Sequence, residues 1–224
     1  VSMNAVNSVV LELQGNQLVR AIDQVPYFLR KVFMGSEGYV LMGQELNPNL
    51  LEPERDLDGT IFRVNRSGDS LQRAGEVILP NSLTLYGFLP LHSGDRTLIA
   101  NININDKLQV LEMGGASLWE SHEYFGGSES SFERPDGLAE MSSRFAFIKP
   151  RIEPGPNQTA LIPVNEGNRV LSTFRQYNRS HLRAVAFDGN AMVERWRTKP
   201  QGGYMADFRL ADADNDGADE IVIL

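Results

Sequence analysis

The chain has 224 residues, 42% of them hydrophobic and 22% charged, with a formal net charge of −8 and no cysteine. That is enough apolar material for a substantial core, while disulfides, thiolate zinc sites and a cysteine nucleophile are excluded. The acidic balance disfavours nucleic acid and anionic lipid as partners, and no apolar stretch approaches the ~20 residues of a membrane helix.

Taken in chain order, short apolar alternations punctuated by Gly, Asn, Asp and Pro replace helical periodicity almost everywhere, which predicts an all-β protein. Residues 1–20 lack the basic and apolar regions of a signal peptide, so a mature or excised chain is expected. The first predicted hairpin runs Val9–Leu13, turns at Gln14-Gly15-Asn16 and returns over Gln17–Arg20. A second kind follows, with Lys31–Phe33 and Tyr39–Met42 flanking Gly35–Gly38. The first kind returns at Thr60–Val64 and Ser70–Arg73 around Ser67-Gly68-Asp69, and the second at Leu85–Phe88 and Thr97–Ala100 around His92–Asp95. Leu108–Glu112 and Ser117–Glu120 flank Gly114-Gly115, and Phe145–Ile148 and Ala160–Pro163 flank Glu153–Asn157. The last pair is Arg183–Phe187 with Ala191–Glu194 around Asp188-Gly189-Asn190, then Ala206–Leu210 with Ile221–Leu224. Glycine beside Asn or Asp at an apex is the chemistry that tight hairpins require.

Two alternating hairpins make a four-stranded unit of about 56 residues, the size of a propeller blade with insertions. The expected architecture is a single β-propeller domain over 1–224, with about four blades visible: 204–224 plus 1–28, then 29–80, 81–127 and 143–203. Pairing of the two terminal half-blades would close a ring and hide its edge strands; a fragment of a larger ring is the other possibility. The polar stretches 46–59, 126–143 and 166–180 read as insertions between strands. A helical turn is expected at Leu138–Met141, and Gly126-Gly127-Ser128 reads as linker.

The loop of the last hairpin is Asp212-Ala-Asp214-Asn-Asp216-Gly217-Ala218-Asp219-Glu220. Carboxylates at positions 1, 3, 5 and 9 with glycine at 6 match the spacing that wraps a hard cation in oxygen. Asp212, Asp214, Asp216 and Glu220 would offer side-chain oxygens and Ala218 its carbonyl, and Gly217 permits the sharp turn. Close carboxylates repel one another by roughly 1–4 kcal/mol per pair, and a divalent ion reverses that sign. A helix-loop-helix calcium hand fits poorly, because its twelfth position needs Glu and this chain has Ile223. The expected cofactor is structural Ca²⁺ on a strand-loop-strand. The other three hairpins of this kind lack most of the carboxylates, so one metal site is expected. A low-affinity calcium loop works best where calcium is millimolar, which points to an extracytoplasmic location.

The segment Asp207–Val222, with its D-x-D-x-D-G-x-x-[DE] loop before an apolar strand, resembles the FG-GAP/VCBS repeat of integrin-α-like β-propellers. The resemblance is specific over about 20 residues and architectural elsewhere. It implies calcium on Asp212, Asp214, Asp216, Ala218 and Glu220, and a propeller that serves as a recognition platform. One good loop, where the family carries several, implies a single ion.

No catalytic constellation emerges. His92, His122 and His181 fall in different units and read as surface or loop residues; no Gly-x-Ser-x-Gly elbow or phosphate loop is present. Glu120, Glu123, Glu129 and Glu133 are candidates for a glycosidase-type carboxylate pair but read as a solvated acidic loop. Trp119, Trp196, Tyr124, Phe125 and Phe132 read mainly as wedge-filling aromatics between blades. Arg175, Tyr177, Arg179 and Arg183 give the third insertion a basic, aromatic tip, the expected partner surface. The expected function is a non-catalytic, calcium-stabilised, monomeric interaction module with a protein partner. A glycan-binding lectin-like propeller or a polysaccharide-acting enzyme is the alternative, since fold alone decides neither.

Overall fold

The computed structural model describes residues 6–46, 57–133, 145–171 and 174–224. Among these the protein is all-β, built from antiparallel sheets and two short 3₁₀ turns at Gly35–Glu37 and Pro156–Gln158. Contacts group the chain into two compact units, Val1–Leu85 and Tyr86–Leu224.

In the first unit, β1 (Ser8–Gln14) and β2 (Gln17–Val25) form a hairpin. The strands β3 (Phe28–Phe33), β4 (Tyr39–Leu46), β5 (Leu57–Ser67) and β6 (Ser70–Glu76) form a four-stranded sheet in sequential order. Gly15 (φ 61°) and Gly68 (φ 59°) take the left-handed conformation at the two apices, as the first central residue of a type II′ hairpin turn must. The hairpin packs on the sheet through Ile22, Val25 and Tyr27 against Phe62 and Val64, each large side chain contributing about 1.5–3 kcal/mol by leaving water. Tyr27 and Phe62 meet edge to face at 5.1 Å. The contact needs Gly43 on β4, because a Cβ there would lie 2.6 Å from the Phe62 ring. The buried side chain of Gln44 ties the sheet to the segment after it: Nε2 donates to the Leu83 carbonyl (3.1 Å), and Oε1 accepts from the Leu85 N–H (2.7 Å).

In the second unit, β7 (Phe88–Ser93), β8 (Arg96–Ile102), β9 (Lys107–Glu112) and β10 (Ser117–Tyr124) form another sequential four-stranded sheet. A short pair, β11 (Ser131–Glu133) with β12 (Phe145–Phe147), follows. Then β13 (Glu153–Pro154), β14 (Ala160–Leu171), β15 (Phe174–Phe187) and β16 (Met192–Arg197) form a sheet in which β17 (Gln201–Gly202) also pairs with β15. The chain ends in the hairpin of β18 (Phe208–Ala211) and β19 (Glu220–Ile223). This hairpin lays Phe208 against Leu161, Leu182, Ala184 and Met205, with Leu210, Ile221 and Ile223 around them.

Three local expectations are corrected. Residues 145–148 do not flank the third loop: Phe145–Phe147 pairs with Ser131–Glu133, and the short β13 is the partner of β14. Residues 166–171 and 174–180 are strand rather than loop, since β14 and β15 pair from Ala160↔Val185 to Leu171↔Phe174 with two register shifts. The polar side chains there line a hairpin whose ladder satisfies the backbone, so polarity did not signal irregular chain. Gly126-Gly127-Ser128 is packed structure. Gly126 bridges β14 in parallel, with its N–H on the Pro163 carbonyl and its carbonyl on the Asn165 N–H, both at 2.8 Å. A Cβ at Gly127 would lie 2.8 Å from the Tyr177 ring, so glycine is present for close approach. The helical turn expected at 138–141, and most of the 46–59 insertion, lie outside the described residues.

Candidate functional site

The acidic loop joins β18 to β19, whose pairing closes at Ala211↔Glu220. Its carboxylates turn inward because the loop's own amides hold them. The Asp216 N–H donates to Asp212 Oδ1 (3.0 Å) and to Asp214 Oδ1 (3.2 Å), and the Gly217 N–H to Asp212 Oδ2 (3.1 Å). The Ala218 N–H donates to Asp216 Oδ1 (2.8 Å), and the Ala213 N–H to Glu220 Oε2 (2.7 Å). Asn215 (φ 64°) and Gly217 (φ 91°) take positive φ and curl the backbone around the group. One carboxylate oxygen from each of Asp212, Asp214 and Asp216 lies within 4.8 Å of the others, all solvent-exposed. Two oxygens sharing a calcium ion at 2.3–2.6 Å can be no more than about 5 Å apart, so this spread fits a single hard cation. The donor set is all oxygen, and each carboxylate that accepts an amide keeps lone pairs for a metal. Glu220 is half-buried at the base of the loop, and Asp219 is exposed outside the cluster.

The four residues expected at a basic tip are distributed along β15 in different environments. Arg179 is exposed (57%) and faces Glu166 at 3.9 Å. Tyr177 is buried (4%), its ring 6.0 Å from that of Tyr204 and its N–H donating to Glu129 Oε1 at 2.6 Å. Burial pushes its phenol above the ordinary value. Arg175 reaches Asp106 Oδ2 at 3.2 Å and lies over the Phe147 ring at 4.4 Å. Arg183 binds Glu194 Oε2 at 2.6 Å, also contacts Glu123, and stacks over Phe125 at 4.6 Å. These side chains are therefore mostly committed to packing within the second unit, and Arg179 alone of the four faces solvent freely.

What the long hairpin does build is a cleft of about 740 Å³, bordered by β14, β15, the Asn103–Asp106 turn and the end of β10. Acids and bases share its wall. The Arg183 hydrogen bond and charge hold the Glu123 carboxyl below the ordinary range. Burial would raise Glu194, but hydrogen bonds from Arg197 and Arg183 with their charges bring it below that range. His181 is buried, 3.4 Å from Glu166 Oε1 through Nδ1. Burial lowers its imidazolium against the opposing charge of Glu166, with Arg197 and Arg183 lowering it further. His92 and His122 are exposed, in line with surface histidine, whereas His181 is not. Trp119 and Trp196 lie on β10 and β16, the outer strands of their sheets. Glu120 accepts from Asn103 and Gln109 at the surface.

Asp106 was missed at the level of sequence. It takes φ 56° in the β8–β9 turn, where an Asp is among the few side chains that tolerate the left-handed region. Its buried carboxylate (6% exposed) receives Lys149, Arg169 and Arg175, which come from three separate stretches of chain. An Asn-x-Asn-Asp turn gives no sign of partners 43 to 69 residues away. The chain matches no protein-family model, and no curated protein matches it.

Proposed function

We propose that the chain is a non-catalytic, calcium-stabilised interaction module, a β-propeller of the FG-GAP/VCBS kind that works outside the cytoplasm. The observation that carries it is the Asp212–Glu220 loop, where Asp212, Asp214 and Asp216 converge within 4.8 Å on the connection of a β-hairpin. Calcium there would tie the ends of β18 and β19 together, and so hold Phe208 against the β14–β15 face.

The blade reading is supported by three sequential antiparallel sheets and a hairpin at each end. It is supported too by a repeated buried amide: Gln44, Asn101 and Asn165 each occupy the sixth position of the second strand of their sheet. Gln44 and Asn165 both accept a backbone N–H, from Leu85 and Met205, residues that stand three before Phe88 and Phe208 at the start of the next strand. The partner is a protein, docking on the outer part of the β14–β15 hairpin, where Gln176, Asn178 and Arg179 are exposed.

Thermal melting with calcium and with chelator, on the natural chain and on Asp214→Ala, tests the proposal. Calcium should raise the melting temperature of the natural chain only. Equal melting in all four conditions refutes a calcium site, and glycan turnover by the purified protein refutes the non-catalytic reading.

A further inference from the structure

We infer that the cleft beside Asp106 is a binding site for a small organic dianion, a phosphate monoester or a dicarboxylate, gripped between Arg169 and Arg175. The inference stands independently of the calcium loop and of any protein partner.

Charge distribution around the cleft carries it. Toward β16 the charges cancel, because Arg183 and Arg197 face Glu123 and Glu194. Glu166 faces Arg179 and a histidine that burial keeps largely uncharged. Toward the Asn103–Asp106 turn they do not cancel. Asp106 is the single acid in ion-pair contact with Lys149, Arg169 and Arg175 among the described residues, which leaves two positive charges in excess. All three cations are largely buried, with side chains 11–18% exposed. Water therefore screens them poorly. The excess is felt at Lys149: burial pushes its ammonium down, Asp106 offsets this, and Arg175 and Arg169 push it down further.

The donors left over point the same way. Asp106 Oδ1 is taken by Lys149 at 2.7 Å, and the two guanidiniums share Oδ2 at 3.2 Å each. One carboxylate oxygen cannot satisfy two planar forks, each with five N–H donors. Arg169 spends a second nitrogen on the Asn165 carbonyl, while Arg175, beyond the shared Asp106 oxygen, has the neutral Tyr177 hydroxyl beside it and no second acid among the described residues. Guanidinium forks of this kind match the paired oxygens of carboxylate and phosphate. Lys107 Nζ and the Arg169 guanidinium also lie 3.8 and 5.0 Å from the centre of the half-exposed, cleft-lining Tyr124 ring. A volume of about 740 Å³ exceeds what a bare ion fills and falls in the range of small-molecule sites, so the charged group is carried on an organic body.

Binding is read by calorimetry and thermal shift on the intact chain, with phenyl phosphate, inorganic phosphate and succinate as probes. Succinamide and sodium chloride at matched ionic strength are the controls. At least one dianion should bind saturably and raise the melting temperature, and the controls should not. Phenyl phosphate against succinate separates the two headgroups. Arg175→Gln and Arg169→Gln should each weaken binding about tenfold to a hundredfold, the loss of a charged hydrogen bond. Each variant also loses packing and hydrogen bonds, so its ligand-free melting curve is the check that it folds; Asp214→Ala should bind the dianion normally. The inference is overturned if no probe binds saturably, if chloride matches the dianions, or if binding survives in both arginine variants. Should one variant fail to fold, the other provides the same reading.

Discussion

Asn165 and Met205, forty residues apart, exchange two hydrogen bonds through one side chain: the Met205 N–H donates to Asn165 Oδ1 and Asn165 Nδ2 donates to the Met205 carbonyl, both at 3.0 Å. The same Nδ2 reaches the Gly127 carbonyl at 2.8 Å. A fully buried amide thus joins β14 to the segment before β18 and to the Gly126–Ser128 segment. Asn165→Leu leaves three backbone groups without partners, and equilibrium denaturation should show a loss of about 2–4 kcal/mol. Asn165→Asp, which cannot donate, should fall close to it. A loss under 1 kcal/mol in both would mean that water replaces the amide at low cost.

Gly127 is expected to be the least replaceable of the turn and loop glycines. It combines φ 85° with a Cβ position 2.8 Å from the Tyr177 ring. Gly127→Ala should cost about 1–3 kcal/mol through overpacking, and Tyr177→Leu in the same chain should restore part of that. Gly15→Ala, at φ 61° with open space around it, should cost only about 1 kcal/mol. Equal losses at both positions would remove the packing argument.

His181 makes stability depend on pH. Burial lowers its pKa in the folded chain from 6.5, so below that value the unfolded chain holds a proton that the folded chain does not. Its contribution is complete above pH 6.5 and declines as pH falls through 6.5 toward the lowered value. The melting temperature should drop between pH 7.5 and 5.5, and His181→Gln should flatten that limb. An imidazole titrating at 6.5 by NMR would remove this dependence, and one titrating above 6.5 would reverse its sign.

The acidic loop should respond to charge removal with opposite signs in two media. Without divalent cations, Asp214→Asn relieves repulsion among Asp212, Asp214 and Asp216 and should raise the melting temperature slightly. With calcium it removes a ligand and should lower it. At calcium a hundred times the dissociation constant, the natural chain gains about 2.7 kcal/mol. A variant that shifts the same way in both media would show that the loop holds no ion.

Closure of the proposed ring has a solution signature. A compact 224-residue particle has a radius of gyration of about 17 Å. Small-angle scattering near that value, from a monomer, agrees with a closed ring; a value well above it argues for separate units or a fragment.

Strand alternation and turn glycines made the all-β class and most hairpins legible, because both act over a few residues. Gly15, Gly68, Gly115 and Gly189 all adopt the positive φ that their apices require. The convergence of Asp212, Asp214 and Asp216 was legible for the same reason: the carboxylates, backbone kinks and amide donors all lie within nine residues of sequence. Burial along β15 was not legible. The alternation Arg175, Tyr177, Arg179 marks one strand face and leaves open what covers it, so a basic tip and a packed wall look alike until Asp106, Tyr204 and Glu129 are placed. The amides Gln44, Asn101 and Asn165 were equally hidden, since a polar residue in a strand reads as solvent-facing until its long-range partners appear.

Sequence alone determined what is local: the β class, the tight turns, the absence of cysteine chemistry and an oxygen-rich loop suited to a hard cation. Tertiary structure decided what depends on contacts between distant segments: residues 166–171 and 174–180 as paired strands, Gly127 as a packing glycine, and the three cations gathered on Asp106. The division is physical. Turn conformation and loop charge are set by neighbouring residues, whereas burial, and the charge excess it leaves unscreened, arises only when separate strands close over the same side chain.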